Sequence, residues 1–170
     1  EALNEDSKPG DDFLARLCVE WEAQAHDAEA LGVRVCLLRT GIVLAKGQGA
    51  LKKMVPPFKM FTGGPLGSGR QWMPWIHIED EFLVENERAR GAFNGTAPNP
   101  VTMAEFSKTL GGVLNRPSWA RVPPFVLALM VGEMAEMLLN GQRAIPEAAI
   151  KLGFKFKYPK LKPALESLGL

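Results

Sequence analysis

The sequence has 170 residues, of which 46% are hydrophobic and 23% charged, a balance typical of a globular domain. Twenty Lys and Arg face 19 Asp and Glu, and a net charge of +1 excludes the strongly basic surface that nucleic acid or an anionic membrane requires. Two cysteines and two histidines predict neither a disulfide framework nor a structural zinc site, so no metal is expected. We therefore expect a cytoplasmic protein with reduced thiols that binds neither nucleic acid nor membrane.

The first third of the chain has the pattern of an α/β protein. Asp11 or Asp12 can cap a helix that carries apolar residues at helical spacing and ends at Leu31-Gly32. Residues 33–38 form a nearly continuous apolar run, which is typical of a strand buried on both faces of a parallel sheet. Residues 41–44 continue in extended form. Helix, glycine turn and buried strand together indicate one half of a βαβ repeat.

The remaining elements are shorter. We predict a helix over 50–54 that Pro56-Pro57 stops, a glycine-rich loop over 62–71, and an extended segment over 72–78. A strand over 91–96 and a helix from Thr102 to about residue 114 follow. The last part is predicted as helices over 124–139, 146–152 and 160–168, with a half-exposed strand over 154–158.

Four sequence motifs point to a known family. They are Leu-Arg-Thr-Gly-Ile-Val-Leu at 38–44, Gly-Gly-Pro-Leu-Gly-Ser-Gly-Arg-Gln-Trp at 63–72, Trp-Ile-His-Ile-Glu-Asp at 75–80 and Asn-Gly-Thr-Ala-Pro-Asn-Pro at 94–100. This combination resembles the epimerase-like, atypical branch of the short-chain dehydrogenase/reductase superfamily, often labelled the NAD-dependent epimerase/dehydratase family. Residues 141–146 and 153–156 resemble the small C-terminal domain of unknown function that its members carry.

The resemblance implies the fold and its division. It implies the C-terminal part of a Rossmann-type doubly wound parallel sheet together with a small mixed α/β substrate lobe. Residues 1–45 would hold later Rossmann elements, 46–116 would complete the sheet and the substrate pocket, and 117–170 would form the small C-terminal domain. The Gly-x-x-Gly-x-x-Gly turn with which family members begin is not in this sequence, so we expect the chain to match their later portion. The segment 81–90 is also shorter than the helical segment that family members have at this place. Either the loop is reduced in this protein or several residues are missing from the sequence.

The same resemblance suggests which residues contact a cofactor. The turn Arg39-Thr40-Gly41-Ile42-Val43 follows the buried strand, at the sheet edge where α/β proteins bind ligands. In the family this turn runs beside the nicotinamide, which implies NADP(H), with NAD(H) as the alternative. A tight turn with a buried strand behind it explains the same residues without a ligand.

A second set of residues is predicted to line a substrate pocket: Met54, Arg70, Trp72 and Trp75. A guanidinium such as that of Arg70 suits a carboxylate or phosphate, and an indole can stack on a flat ligand. The alternative for Arg70 is a solvated surface hairpin, and the alternative for Trp75 is the protein core. Sugar-nucleotide epimerases carry a diphosphate-binding arginine where this chain has Met73, which disfavours a sugar-nucleotide substrate.

The usual catalytic pair is missing from its expected place. Related enzymes use Tyr-x-x-x-Lys, in which the tyrosine is the general acid/base. The register places Phe13 and Leu17 on that motif, and neither can fill the role. Substitution by Asp12 and Arg16 remains open, whereas Tyr158-Pro-Lys-Leu-Lys162 matches by chance at the wrong end of the chain. The function expected is an NAD(P)-binding epimerase-like or oxidoreductase-like protein for a small molecule, and the alternative is a non-catalytic dinucleotide-binding sensor or scaffold.

His77 and Asp80 allow two interpretations. A histidine and a carboxylate three residues apart could form an acid/base pair. The interpretation that we favour from sequence is structural, with the two side chains ordering the loop at the end of a strand.

Overall fold

A computed structural model describes residues 1–80, 88–132 and 134–170. Its helices and strands, in chain order, are α1 (Phe13–Asp27), β1 (Cys36–Thr40), β2 (Ile42–Leu44), α2 (Gly49–Lys59), β3 (Trp72–Met73), β4 (Trp75–His77), β5 (Gly91–Gly95), β6 (Val101–Thr102), α3 (Met103–Leu114), α4 (Pro124–Val131), α5 (Met134–Leu139), α6 (Glu147–Lys151) and α7 (Leu161–Ser167). Short 3-10 turns cover Ala28–Leu31 and Ile78–Asp80.

The strands pair mainly in parallel. β1 runs parallel to β5, with Thr40 opposite Gly95, and β2 runs parallel to β4, with Ile42 opposite Trp75. β3 and β6 form a short antiparallel pair. The α/β class with a parallel sheet is therefore confirmed, and the carboxyl ends of β1 and β5 meet at one edge of the sheet.

Local capping chemistry explains where α1 and α3 begin. The Asp12 carboxylate accepts the N–H of Ala15 at 2.8 Å, and the Thr102 hydroxyl accepts the N–H of Glu105 at 3.3 Å. Each side chain satisfies an amide that the first turn of its helix leaves without a partner. Both caps and both helices were predicted from the sequence and are confirmed.

Three predicted elements differ in the structure. Helix α2 runs through Pro56 and Pro57 to Lys59 instead of stopping before them, and it is anchored by buried Leu51 and Phe58. The predicted helix over 124–139 is divided into α4 and α5 at Gly132, whose φ of 62° no regular helix accepts. The strand predicted over 33–38 begins later, at Cys36, and is half-buried instead of buried on both faces.

The segment over 154–158 is irregular, although its side chains alternate between half-buried and exposed as predicted. The prediction of a strand there was wrong because the backbone N–H groups of Lys157 and Tyr158 bond a side chain, the carboxylate of Asp80, and no neighbouring strand. The short segment noted after Asp80 lies mostly outside the described residues.

One large hydrophobic cluster joins distant parts of the chain. It contains Leu44 of β2, Phe58 of α2, Trp75 of β4, Phe106 of α3 and Leu165 of α7. These side chains are 2% exposed or less. The cluster thus includes residues from each of the three predicted regions. A smaller cluster packs β5 against α6 through Phe93 and Ala149.

Candidate functional site

The carboxyl ends of β1 and β5 are joined to β3 and β4 through Gly41. The N–H of Gly41 donates to the carbonyl of Gly95 at 3.0 Å, and the next N–H, of Ile42, donates to the carbonyl of Pro74 at 2.8 Å. A Cβ on Gly41 would lie 2.9 Å from the Pro74 oxygen and 3.0 Å from Cγ2 of Thr96. Glycine is therefore required by space at this edge, which brings three backbone segments together.

Arg39 makes three side-chain hydrogen bonds to other parts of the protein. Its Nε and Nη2 each donate to a Glu22 carboxylate oxygen at 2.6 Å, and Nη1 donates to the carbonyl of Glu5 at 2.9 Å. The hydrogen bonds to Arg39 lower the pKa of Glu22, and the same bonds raise the pKa of Arg39. Arg39 thus connects α1 and the N-terminal segment to β1, and its contact with a cofactor stays a prediction.

The other residues of the predicted cofactor turn offer mainly backbone. Thr40 is exposed, and Ile42 and Val43 are half-buried, with Ile42 packed against the large cluster. These residues line the sheet edge as predicted, but their contact with a cofactor remains a prediction.

The start of α1 carries no acid/base group in the place of the usual tyrosine. Phe13 is 69% exposed, and the Asp12 carboxylate is used as the helix cap. Arg16 donates to the carbonyl of Asp11. Both charged neighbours therefore have local structural partners, and α1 has no buried residue.

The predicted substrate residues divide into two groups. Trp75 is fully buried in the large cluster and Met54 packs against it, so both serve the core in this structure, and Trp75 has no surface to offer a ligand. Arg70 is exposed and Trp72 is half-buried, on the segment that leads into β3. The guanidinium of Arg143 stacks over the Trp72 ring, 4.8 Å from its centroid.

Sequence reasoning missed Arg143. It lies in the stretch 141–146, which was recognised only as a family marker. The single signal in the sequence was the glycine two residues earlier. A Cβ on Gly141 would lie 1.6 Å from the Trp72 carbonyl oxygen, so only glycine allows this segment to cross β3.

His77 and Asp80 hold the C-terminal segment in place. The Asp80 carboxylate, 2% exposed, accepts the N–H of Lys157 at 2.7 Å and that of Tyr158 at 2.9 Å. His77 packs its ring on Tyr158, with 4.1 Å between centroids, and its Nε2 lies 3.1 Å from the Ser167 hydroxyl. The structural interpretation of the pair is supported, since both side chains are buried and satisfied by the protein.

An apolar groove of about 650 Å³ lies elsewhere, beside α4 and α5. It contains none of the predicted site residues. Its lining consists of Pro124, Phe125, Ala128, Gly132, Ala135, Glu136 and Leu139.

Fold and site together define a class of protein: a Rossmann-type α/β protein with its candidate site at the carboxyl edge of a parallel sheet. Residues 122–168 match the family model described as a domain of unknown function, DUF1731. The chain is 49% identical over 171 residues to the epimerase family protein SDR39U1 homolog, chloroplastic, of Arabidopsis thaliana, and covers 98% of itself and 49% of that relative. It is 43% identical to the epimerase family protein YfhF of Bacillus subtilis, covering 99% of itself and 57% of the relative.

A solved structure matches over the same extent. Human epimerase family protein SDR39U1, crystallised with NADPH, superposes with a TM-score of 0.91 at 38% identity, over 99% of this chain and 59% of the human one. The chain therefore resembles the later portion of these epimerase family proteins, which are similar to it over almost its whole length. It spans about half the length of the curated relatives that it matches.

Proposed function

We propose that the protein binds NADP(H) and acts on a small molecule as an epimerase-like or oxidoreductase-like enzyme, with NAD(H) as the less favoured cofactor. The observation that carries this proposal is the crowded sheet edge at Gly41, where only a glycine lets the backbone of β1, β4 and β5 meet. Support comes from the human relative, which superposes on nearly the whole of this chain and was crystallised with NADPH.

The residues at this edge fit one end of a dinucleotide. Gly41 adds no side chain to the edge, and the neighbouring Thr40 is exposed. Ile42 and Val43 are half-buried and would supply an apolar surface behind the ligand. We assign the backbone of residues 40–43 to the nicotinamide end. When bound, the nicotinamide supplies a hydride donor or acceptor.

The chain's own contribution to the chemistry is positioning. Arg39 holds the turn against α1 and the N-terminal segment through Glu22 and Glu5, and this keeps the edge in one conformation. Phe13 offers no proton, so we assign proton transfer to the substrate or to water. This differs from the usual tyrosine chemistry of related enzymes.

The test is calorimetric titration of the intact protein with NADPH and NADH. We expect NADPH to bind more tightly, and Gly41→Ala to weaken it about tenfold or more, because the added methyl displaces the edge. Gly112→Ala is the matched control, since its Cβ would meet no atom within 4 Å. Absence of binding by either cofactor refutes the proposal, and equal affinity in Gly41→Ala removes the assigned role of the turn.

A second candidate is a non-catalytic dinucleotide-binding sensor or scaffold. The exposed Phe13 at the position of the usual tyrosine favours it. Turnover assays with the cofactor-loaded protein and a panel of carbonyl and alcohol substrates separate the two, because a sensor binds the cofactor without turning over.

We also propose a reducing, cytosol-like compartment. Cys18 is exposed and Cys36 is half-buried, and both are free thiols. Among the described residues no helix is both long enough and apolar enough to cross a membrane.

A further inference from the structure

The side chain of Arg143 is held in place without being neutralised. Its guanidinium lies over the Trp72 ring at 4.8 Å, a contact that uses the flat face of the group. The N–H donors around the rim of a guanidinium stay available in such a stack. Within 1–80, 88–132 and 134–170 no carboxylate forms an ion pair with Arg143.

The backbone fixes where this arginine stands. Gly141 crosses β3 in direct contact with the Trp72 carbonyl, and the carbonyl of Arg143 itself accepts the N–H of Leu3 at 2.9 Å. Ile145, two residues further on, continues the pairing, because its N–H donates to the carbonyl of Leu3 at 2.9 Å. The backbone position is therefore fixed by these contacts, and the stack on Trp72 restricts the side chain before any ligand binds.

The same segment reaches the edge that we assign to the cofactor. Asn94 of β5 donates from Nδ2 to the carbonyl of Ile145 at 2.9 Å, and Thr96, next to Gly41, lies 3.5 Å from the carbonyl of Ala144. Arg143 thus stands one residue from a contact with the Gly41 edge. Trp72 is joined to that edge from the other side, through Met73 and Pro74.

A second arginine lies close in sequence to the ring of this stack. Arg70 precedes Trp72 by two residues, is exposed, and has no carboxylate partner among the residues that the structure describes. Its neighbour Gln71 is tied down through Nε2, which donates to the carbonyls of Leu66 and Leu138 at 3.0 and 3.2 Å. Arg70 therefore precedes by two residues the indole on which Arg143 stacks, and neither guanidinium has a carboxylate partner within the described ranges.

We infer that Arg143, stacked on Trp72 and assisted by Arg70, recognises an oxyanion of the substrate, a carboxylate or a phosphate. This inference rests on the proposed function, because it concerns the substrate of that same site. A guanidinium binds either oxyanion through two parallel hydrogen bonds. Arg143, which comes from the C-terminal region, thereby gives the site a preference for small molecules that carry an acidic group.

The test uses benzoate and phenyl phosphate as probes and neutral benzamide as the comparison, titrated into the intact protein with and without saturating NADPH. We expect one or both anions to bind and benzamide not to bind. Arg143→Gln should weaken the anion about tenfold or more, and Arg143→Lys by less, because lysine keeps the charge and loses the planar fork. Arg90→Gln is the matched control, since this exposed arginine lies at the opposite, amino end of β5.

The outcomes separate this inference from the proposed function. The inference is supported if Arg143→Gln loses anion binding and keeps the NADPH affinity of the wild type. The probe that binds more tightly shows whether the site prefers a carboxylate or a phosphate. Equal anion binding by wild type and Arg143→Gln overturns it, as does benzamide binding as well as benzoate. Loss of NADPH affinity in Arg143→Gln also overturns it, because the guanidinium would then serve the cofactor. Failure of the wild type to bind NADPH refutes the proposed function, while the titration without NADPH still tests Arg143.

Discussion

His77 is a buried histidine whose hydrogen bonds specify the neutral ring. Its Nδ1 accepts the N–H of Glu79 at 3.1 Å, so the proton of the neutral ring stands on Nε2, facing the Ser167 hydroxyl. That hydroxyl donates to the carbonyl of Ala164 at 2.8 Å and is left to accept from Nε2. Burial lowers the pKa of His77, against the carboxylates of Glu79 and Asp80, which raise it, while Lys157 lowers it further.

This depressed pKa predicts that the protein loses stability in mild acid. The unfolded chain takes up a proton near the ordinary histidine pKa of about 6.5, and the folded protein resists it. Because the unfolded state then binds more protons, the free energy of unfolding falls as pH drops below about 6.5, down to the folded pKa. Urea denaturation from pH 7.5 to 5.5 measures this, and His77→Gln should flatten the slope.

His26→Gln is the control for this titration, since His26 is the other histidine and lies exposed on α1. It replaces a histidine at an exposed site and leaves the buried ring of His77 unchanged. An identical slope in wild type and His77→Gln would show that the titration of His77 has no part in the acid sensitivity.

At the scale of elements, the carboxylate of Asp80 takes the place of a neighbouring strand as the hydrogen-bond partner of residues 157 and 158. The segment before α7 has the alternating pattern of a strand, yet Asp80 accepts two of its backbone N–H groups, from Lys157 and Tyr158. Glu79 adds an exposed ion pair with Lys157, which lowers the pKa of Glu79. Asp80 therefore ties the end of β4 to the segment that leads into α7.

Asp80→Asn should weaken this connection substantially. An amide keeps one acceptor oxygen, but its NH₂ would face a backbone N–H, and a buried donor would lose its partner. Such a loss costs about 1–3 kcal/mol, measurable as a lower urea midpoint, and residues 154–158 should become sensitive to protease. Glu79→Gln is the control, and it should leave both readouts unchanged because its ion pair is exposed. Equal midpoints for Asp80→Asn and wild type would contradict the structural role.

The elements that could be predicted from the sequence are those with local causes. The bounds of helix α3 were predicted because Thr102 caps its first turn and the apolar residues that follow have helical spacing. Helix α6 ends before Gly153, as expected. The segment 154–158 was misjudged because alternation reports burial and not the partner of the backbone. Helix α2 is longer than predicted. The burial of Phe58 stabilises its last turn and outweighs the hydrogen bonds that Pro56 and Pro57 cannot make.

The candidate site divides in the same way. Gly41 and Trp72 could be found from local sequence, since a glycine after a strand and an aromatic in a glycine-rich segment are visible signals. The ion pair of Arg39 with Glu22 could not be predicted, because Glu22 lies 17 residues away on another element. Arg143 was missed because its stacking on Trp72 depends on chain crossing between distant segments.

At the scale of the whole molecule, stability comes from one shared core. Leu161, Ala164 and Leu165 of α7 are buried against the same cluster that holds Leu44 and Phe106. The segment 154–158 is fastened to β4 as well. The C-terminal residues therefore complete the core of the earlier ones, and their loss would expose apolar surface on β2 and α3.

This shared core predicts that a change in α7 destabilises the entire molecule. Leu165 is fully buried, and Leu165→Ala should lower the free energy of unfolding by about 2–5 kcal/mol, through lost burial and the cavity left behind. Leu129→Ala is the matched control, because that leucine is 87% exposed and its truncation should change little. Urea denaturation would be followed by tryptophan fluorescence, which includes buried Trp75, and by circular dichroism.

The two probes should shift together to lower urea in Leu165→Ala, because Trp75 and Leu165 belong to the same cluster. A separately folding C-terminal region would behave differently: circular dichroism would show an early partial transition, while the main transition in tryptophan fluorescence would keep the wild-type midpoint. Coincident transitions would also bear on the site, since Arg143 would then depend on the same cooperative unit that holds Gly41. An early separate transition would instead release Arg143 from Trp72 before the sheet edge unfolds.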